Sequence, residues 1–371
     1  MIKISKLFAA MVLAGVASHS FAADTIKIGI AGPKTGPVTQ YGDMQFVGAK
    51  QAIKDINAKG GVDGKMLEAK EYDDACDPKQ AVAVANKVVN DGVKYVIGHL
   101  CSSSTQPASD IYEDEGVIMI TPAATSPDIT SRGYKMIFRT IGLDSAQGPA
   151  AGNYIADHVK PRVVAVLHDK QQYGEGIATA VKTTLEGKGT KVAVFEGLNA
   201  GDKDFSSIIQ KLKQNNVDFV YYGGYHPELG LILRQAQEKG LKAKFMGPEG
   251  VGNDSISQIA QGASEGLLVT LPKSFDAEPE NKAIVDAIKA DGKDPSGPFV
   301  FPAYSAVQLI AEGIKAAKSE DTDKVAEAIH AGTFKTPTGD LSYDKNGDLK
   351  DFKFVVYEWH FGKPKTEVSP Q

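Results

Sequence analysis

Short β-branched apolar runs alternate along the chain with loops bearing Gly or Pro and with amphipathic segments. Such runs begin near Ile26 (IKIGIAG), Met66 (MLEAKEYD), Tyr95 (YVIGHL) and Val117 (VIMITPA). A second series begins near Val163 (VVAVLHD), Val192 (VAVFEG), Phe219 (FVYYGGY), Lys244 (KFMGPEG) and Gly266 (GLLVTLP). Near-continuous apolar strands between helices indicate parallel sheets covered on both faces. Two series of similar spacing, parted by a polar stretch at 143–148, predict two similar α/β lobes. Helical periodicity covers 45–59, 79–91 and 105–115. Gly60-Gly61, Gly92 and Gly116 follow these segments in the place of a left-handed C-cap. Beyond Pro272, helices are expected at 281–291, 304–319 and 322–331. The stretch DLSYDKNGDLKDFKFVVYEW reads as a β-hairpin turning at Asn346-Gly347.

The length of 371 residues, 42% of them hydrophobic, suits two cores rather than one. Residues 1–22 read as a cleaved export signal: Lys3 and Lys6, an apolar run from Leu7 to Ala17, then Ser20 and Ala22 at the cleavage positions. That run is too short for a stable membrane anchor. Removing both lysines takes the formal charge from −5 to −7. This, and the absence of any basic run, argues against nucleic acid or an anionic membrane as partner. The two cysteines, Cys76 and Cys101, read most simply as a disulfide in an exported chain, with a reactive thiol as the alternative.

Ligands of doubly wound folds sit beyond the carboxyl ends of the strands, so the βα loops carry the functional reading. The first loop (PKTGPVTQYGD) holds Tyr41. In GHLCSSST, Ser102 to Ser104 meet a helix N-terminus, which suits a carboxylate; the equal alternative is one serine serving only as the N-cap. TPAATS adds Thr125 beside small alanines. Gln172-Tyr173 and Gly223-Gly224-Tyr225 place aromatics at strand ends, as walls for an apolar side chain or as surface packing. GPEG holds one acid, Glu249, suited to an ammonium group or simply exposed. Phe299 is a further wall or a core residue. A carboxylate site, an ammonium site and aromatic walls together describe an apolar α-amino acid.

Enzyme and metal motifs are weak. The match to GxSxG at 262–266 has helix before Ser264 and strand after it, the reverse of a nucleophile elbow. No histidine pair has the HExxH spacing; His99, His168 and His226 read as polar loop residues, His226 as a pocket neighbour. Asp344, Asn346 and Asp348 lack the glycine position and closing Glu of a calcium loop. No phosphate-binding loop occurs, and no cofactor or metal is expected.

The chain resembles the periplasmic leucine/isoleucine/valine-binding proteins of ABC importers. The likeness is densest in YDDACDPKQAVAVANKVVNDGVKYVIGHLCSSSTQPASDIYEDEG, HDKQQYGEG, DFVYYGGYHPE and FMGPEG. It implies an α/β fold of two Rossmann-like parallel-sheet lobes with three crossovers, divided as 23–143 with 273–352 and 144–272 with 353–371. It implies a Cys76–Cys101 disulfide. Ser102 would bind the ligand carboxylate, Ala123 and Thr125 the head group, and Glu249 the ammonium. Tyr41, Leu100, Tyr173, Tyr225 and Phe299 would line the side-chain pocket, with Cys101, Ala124 and Gly250 completing the set. Relatives carry Tyr or Trp at the position of Tyr41; Tyr leaves more room and points to all three branched ligands. The resemblance further implies a non-catalytic periplasmic monomer that delivers its ligand to membrane permease subunits. An extracytoplasmic amino-acid or amide sensor on the same fold is the alternative.

Overall fold

The computed structural model describes residues 25–368; the expected export signal lies outside the described residues. Strands β1 (Ile26–Gly32), β2 (Leu67–Asp73), β3 (Tyr95–Gly98), β4 (Ile118–Thr121) and β5 (Ile137–Arg139) form a parallel sheet in the order β2-β1-β3-β4-β5. Strands β6 (Val164–His168), β7 (Val192–Gly197), β8 (Phe219–Gly223), β9 (Lys244–Gly247) and β10 (Leu268–Pro272) repeat that order as β7-β6-β8-β9-β10. In each sheet the strand order reverses between the first and third strands of its series, β1/β3 and β6/β8. A doubly wound sheet opens its ligand crevice at that point. Strands β3, β4, β6 and β8 are buried at every residue, as expected of parallel strands covered on both faces.

The covering helices are α1 (Thr39–Ala58), α2 (Pro78–Asn90), α3 (Ser102–Asp114), α4 (Asp144–Tyr154), α5 (Gln172–Gly187), α6 (Ser206–Gln214), α7 (His226–Glu238) and α8 (Ser255–Ala260). After them come α9 (Lys282–Ala290), α10 (Val300–Ala317) and α11 (Thr322–Ala331). Local rules fix several ends. Asp77 caps α2 by accepting the Gln80 N–H at 2.8 Å, with Pro78 in the first helical position. Gly92 and Gly116 follow α2 and α3 at φ 68° and 62°, the left-handed conformation that glycine adopts without strain. Among the described residues no helix is long and apolar enough to cross a membrane.

The chain passes between the sheets three times, between β5 and α4, between β10 and α9, and before the strand β13 (below). The first and third passages pack together. A Cβ on Gly142 would meet the rings of Phe352 at 2.5 Å and Phe354 at 2.7 Å, so only glycine fits there.

The structure adds two elements to the reading and corrects one. The polar stretch at 143–148, which parts the two series, opens α4, whose Gly148 lies against Ala180 on α5. The short strand β5 was not anticipated, because Arg139 interrupts its apolar pattern. The tail is not one hairpin about Asn346-Gly347. Its first strand pairs backwards instead, β11 (Thr333–Thr336) with β12 (Gly339–Ser342). Around the Asn346 turn only the single bridge Tyr343–Leu349 forms. The chain then crosses to the second sheet, where β13 (Phe354–His360) and β14 (Lys363–Glu367) extend it antiparallel beyond β10. The reason is Asp348, whose carboxylate is held in the first lobe by Arg139 at 2.7 Å.

Candidate functional site

Loops after β1, β3 and β4 face loops after β6, β8 and β9 across a cleft. Helices α1 and α3 begin earlier than periodicity suggests, because their first turns turn inward to the cleft instead of following a surface stripe. Leu100, Ser102, Ala123, Tyr173, Tyr225, Glu249, Gly250 and Phe299 line a small, tightly closed-in pocket in this cleft.

The apolar wall is continuous. Tyr41 stands edge-on to Phe299 at 5.3 Å and to His226 at 5.4 Å, and Tyr173 lies 5.3 Å from Tyr225. The Tyr173 hydroxyl accepts the Gly250 N–H at 3.0 Å. A Cβ on Gly250 would meet the Tyr173 ring at 2.8 Å, so glycine is required for this approach. Cys76 and Cys101 are disulfide-bonded, tying the loop before α2 to the first turn of α3. Ser102 is the first residue of α3, where helix N–H groups lack intrahelical acceptors. Its hydroxyl accepts the Ser126 N–H at 3.4 Å. Cys101 and Ala124 are buried but do not line the cavity. The Cys101 oxygen takes the Thr105 N–H at 2.8 Å, and the Ala124 oxygen takes Arg139 Nη1 at 2.6 Å.

Glu249 is the centre of the polar end. Thr125 donates to its Oε1 at 3.3 Å, and Gln147 Nε2 donates to its Oε2. No basic side chain bonds it. Burial pushes its carboxyl up to about 7 against these hydrogen bonds. Asp144, at the start of α4, is buried nearby; the Thr125 hydroxyl, which donates to Glu249, is its nearest polar side-chain group, and neither Asp144 oxygen makes a hydrogen bond of its own. Burial, then the Glu249 charge, holds its carboxyl well above the ordinary value. The buried guanidinium of Arg139 is already engaged by Asp348, Ala124, Ser126 and Thr130. Among the described residues no cation is bonded to either buried acid, which is the demand an ammonium group meets.

Sequence reasoning missed Arg139, Asp144 and Gln147. A lone Arg inside the apolar run IFR was the one available signal. His99 lies in the loop after β3, as read, but not at the surface. Its ring is fully buried, with Nδ1 2.6 Å from Asp74 Oδ2 and Nε2 3.0 Å from the Tyr112 oxygen. Ser264 is likewise buried, its hydroxyl donating to the Gln261 oxygen at 2.8 Å ahead of β10. Asp344 accepts the N–H groups of Asn346 and Asp348 within its own turn. Among the described residues no cluster of three or more metal-ligating side chains occurs.

The leucine-, isoleucine-, valine-, threonine- and alanine-binding protein of Pseudomonas aeruginosa is 68% identical over 367 residues, covering 99% of this chain and 98% of that one. The Leu/Ile/Val/Thr-binding protein of Salmonella typhimurium is 59% identical over 352 residues, covering 95% and 96%. Among solved structures, the branched-chain amino acid transporter substrate-binding protein LivJ of Streptococcus pneumoniae, in complex with isoleucine, has a TM-score of 0.85 at 27% identity, covering 94% of this chain and 100% of that one. The model of the periplasmic binding protein family matches residues 25–363, and the chain belongs to that family.

Proposed function

We propose that this protein is the periplasmic solute-binding component of an ABC importer, and that it closes its two lobes on leucine, isoleucine or valine. The lobes are 23–143 with 273–352 and 144–272 with 353–371, and residues 1–22 are removed on export. The observation that carries the reading is the small cavity with aromatic walls at one end and the cation-deficient Glu249 at the other. Ser102 and the first turn of α3 take the ligand carboxylate. Thr125 and the Ala123 main chain hold the head group, and Glu249 pairs with the ammonium. Leu100, Tyr41, Tyr173, Tyr225 and Phe299 surround the branched side chain, with Cys101, Ala124 and Gly250 shaping the loops behind it.

Ser102, Ala123 and Thr125 lie on one lobe, and Tyr225 and Glu249 on the other. Binding begins on the first and closure adds the second, so contacts made only in the closed form shift the population toward it. The closed form, as a monomer, then delivers its cargo to permease subunits. No bond is made or broken. Threonine and alanine, which the Pseudomonas relative is named for, would leave part of the apolar wall unfilled and bind more weakly here.

Small-angle scattering tests the mechanism. Ligand-stripped protein should contract when leucine, isoleucine or valine is added, and Glu249→Gln should not contract at the same concentration. Failure of all three to contract the native protein would contradict the proposal.

A further inference from the structure

The acid beside Glu249 has no assigned role, and it is the least satisfied charged group of the interior. Asp144 opens α4, and Gln147, one turn later on the same helix, reaches both Glu249 and Thr270 on β10. Both acids and Gln147 therefore belong to the second lobe, so the pair persists whether the cleft is open or shut. The Asp144 N–H donates to the Thr125 oxygen at 3.0 Å, and the hydroxyl of the same Thr125 reaches Glu249 at 3.3 Å. One threonine of the first lobe thus bridges the two carboxyl-bearing residues.

We infer that Asp144 is the second acid of the ammonium site: it and Glu249 hold one proton between them when the cleft is empty, and the ligand's ammonium takes that proton's place. The inference rests on the ammonium reading of Glu249. The exchange balances. The empty pair carries one proton and one negative charge; the bound pair carries two negative charges against the ammonium, and the proton goes to solvent. Two carboxylates buried this closely do not both ionise without a cation, and they titrate as a pair.

Of the surrounding groups only the Arg139 guanidinium carries a counter-charge that Asp144 feels, and it bonds neither acid. Tyr41 on α1, Tyr173 on α5, Tyr221 on β8 and Tyr225 before α7 are all held well above the ordinary tyrosine value by burial and stay protonated. His226 is pushed down to about 4 by burial and is neutral. Arg139 on β5 is bound to Asp348, with Asp144 and Asp344 within reach of its charge, and even so Asp144 is held well above its ordinary value. The Tyr221 hydroxyl and Gln147 Oε1, both without a partner, add no positive group. The consequence is selectivity for charge: a ligand with the same side chain and carboxylate but no cation cannot displace the proton.

Calorimetric titration in buffers of differing ionisation enthalpy counts protons directly. Leucine binding to the native protein should release a substantial fraction of one proton per ligand within pH 5 to 7.5. In Asp144→Asn, leucine should still bind, with the release profile moved more than one pH unit toward acid. The hydroxy acid 2-hydroxy-4-methylpentanoate should bind the native protein at least a hundredfold more weakly than leucine and release no proton. Leucine binding with no proton release between pH 5 and 8, or an Asp144→Asn profile matching the native one, would overturn the inference and leave the ligand assignment standing. Absence of leucine binding to the native protein would sink both. Should Asp144→Asn fail to fold, the native proton count decides alone.

Discussion

The Tyr41 hydroxyl donates to the main-chain oxygen of Glu249 at 3.3 Å, joining residues 208 positions apart across the cleft. In the proposed mechanism the bond forms on closure. Tyr41→Phe keeps the ring against Phe299 and removes this bond together with the hydroxyl's interaction with Asn253. Its loss should weaken leucine binding by about 0.5–1.5 kcal/mol and leave the melting temperature of ligand-free protein unchanged. Calorimetry on both proteins checks this. Tyr41→Trp should narrow the cavity and lower affinity for isoleucine and valine more than for leucine.

Glu249 gives a pH signature. Burial raises its ordinary value of 4.5 to about 7. Its contribution to stability is therefore complete below pH 4.5 and is lost as pH climbs through 7. The full effect is about 3 kcal/mol. Glu249→Gln has no such loss, so without ligand its stability relative to the native protein should rise from pH 5 to pH 7. Scanning calorimetry at pH 5, 6 and 7 reads the gap; a gap that is constant or shrinks would count against the buried acid.

Arg139 is a structural cation with a functional consequence. It pairs with Asp348 and holds the main-chain oxygens of Ala124 and Ser126, so it fixes the loop that carries Ala123 and Thr125. Arg139→Met leaves Asp348 buried without its partner and should cost about 3–5 kcal/mol. Urea unfolding should show that loss, and leucine titration should show weakened binding in whatever fraction folds. Unchanged stability would mean that Asp348 finds another donor.

The disulfide closes a loop of sequence separation 25 at the foot of the Ser102 site. Replacing Cys76 and Cys101 together with serine should lower stability by about 3 kcal/mol. Because Leu100 and Ser102 flank Cys101, leucine affinity should fall as well. A variant that melts earlier yet binds leucine with native affinity would confine the disulfide to stability.

Much of this was legible in the chain. Val164 to His168 is apolar at every position because both faces of β6 are covered, and that pattern is visible without coordinates. Glu249 and Ser102 stood out because polar residues followed strand ends. What escaped was set by distant partners. Nothing local marks Gln147 as a neighbour of Glu249, since the contact spans 102 positions. The burial of the loop residue His99 could not be read because its partners, Asp74 and Tyr112, come from other elements. The tail misled because Asn346-Gly347 does turn the chain, but Arg139 retains Asp348 while β13 finds its partner in the other sheet.

The central claim is the ligand. The direct measurement is calorimetric titration of protein unfolded and refolded to strip carried-over ligand, with leucine, isoleucine, valine, alanine, phenylalanine and threonine in turn. Leucine, isoleucine and valine should bind at micromolar concentration or tighter, about −8 kcal/mol or better, with alanine, threonine and phenylalanine weaker. No heat with any of the six, from protein shown to be refolded, would contradict the account.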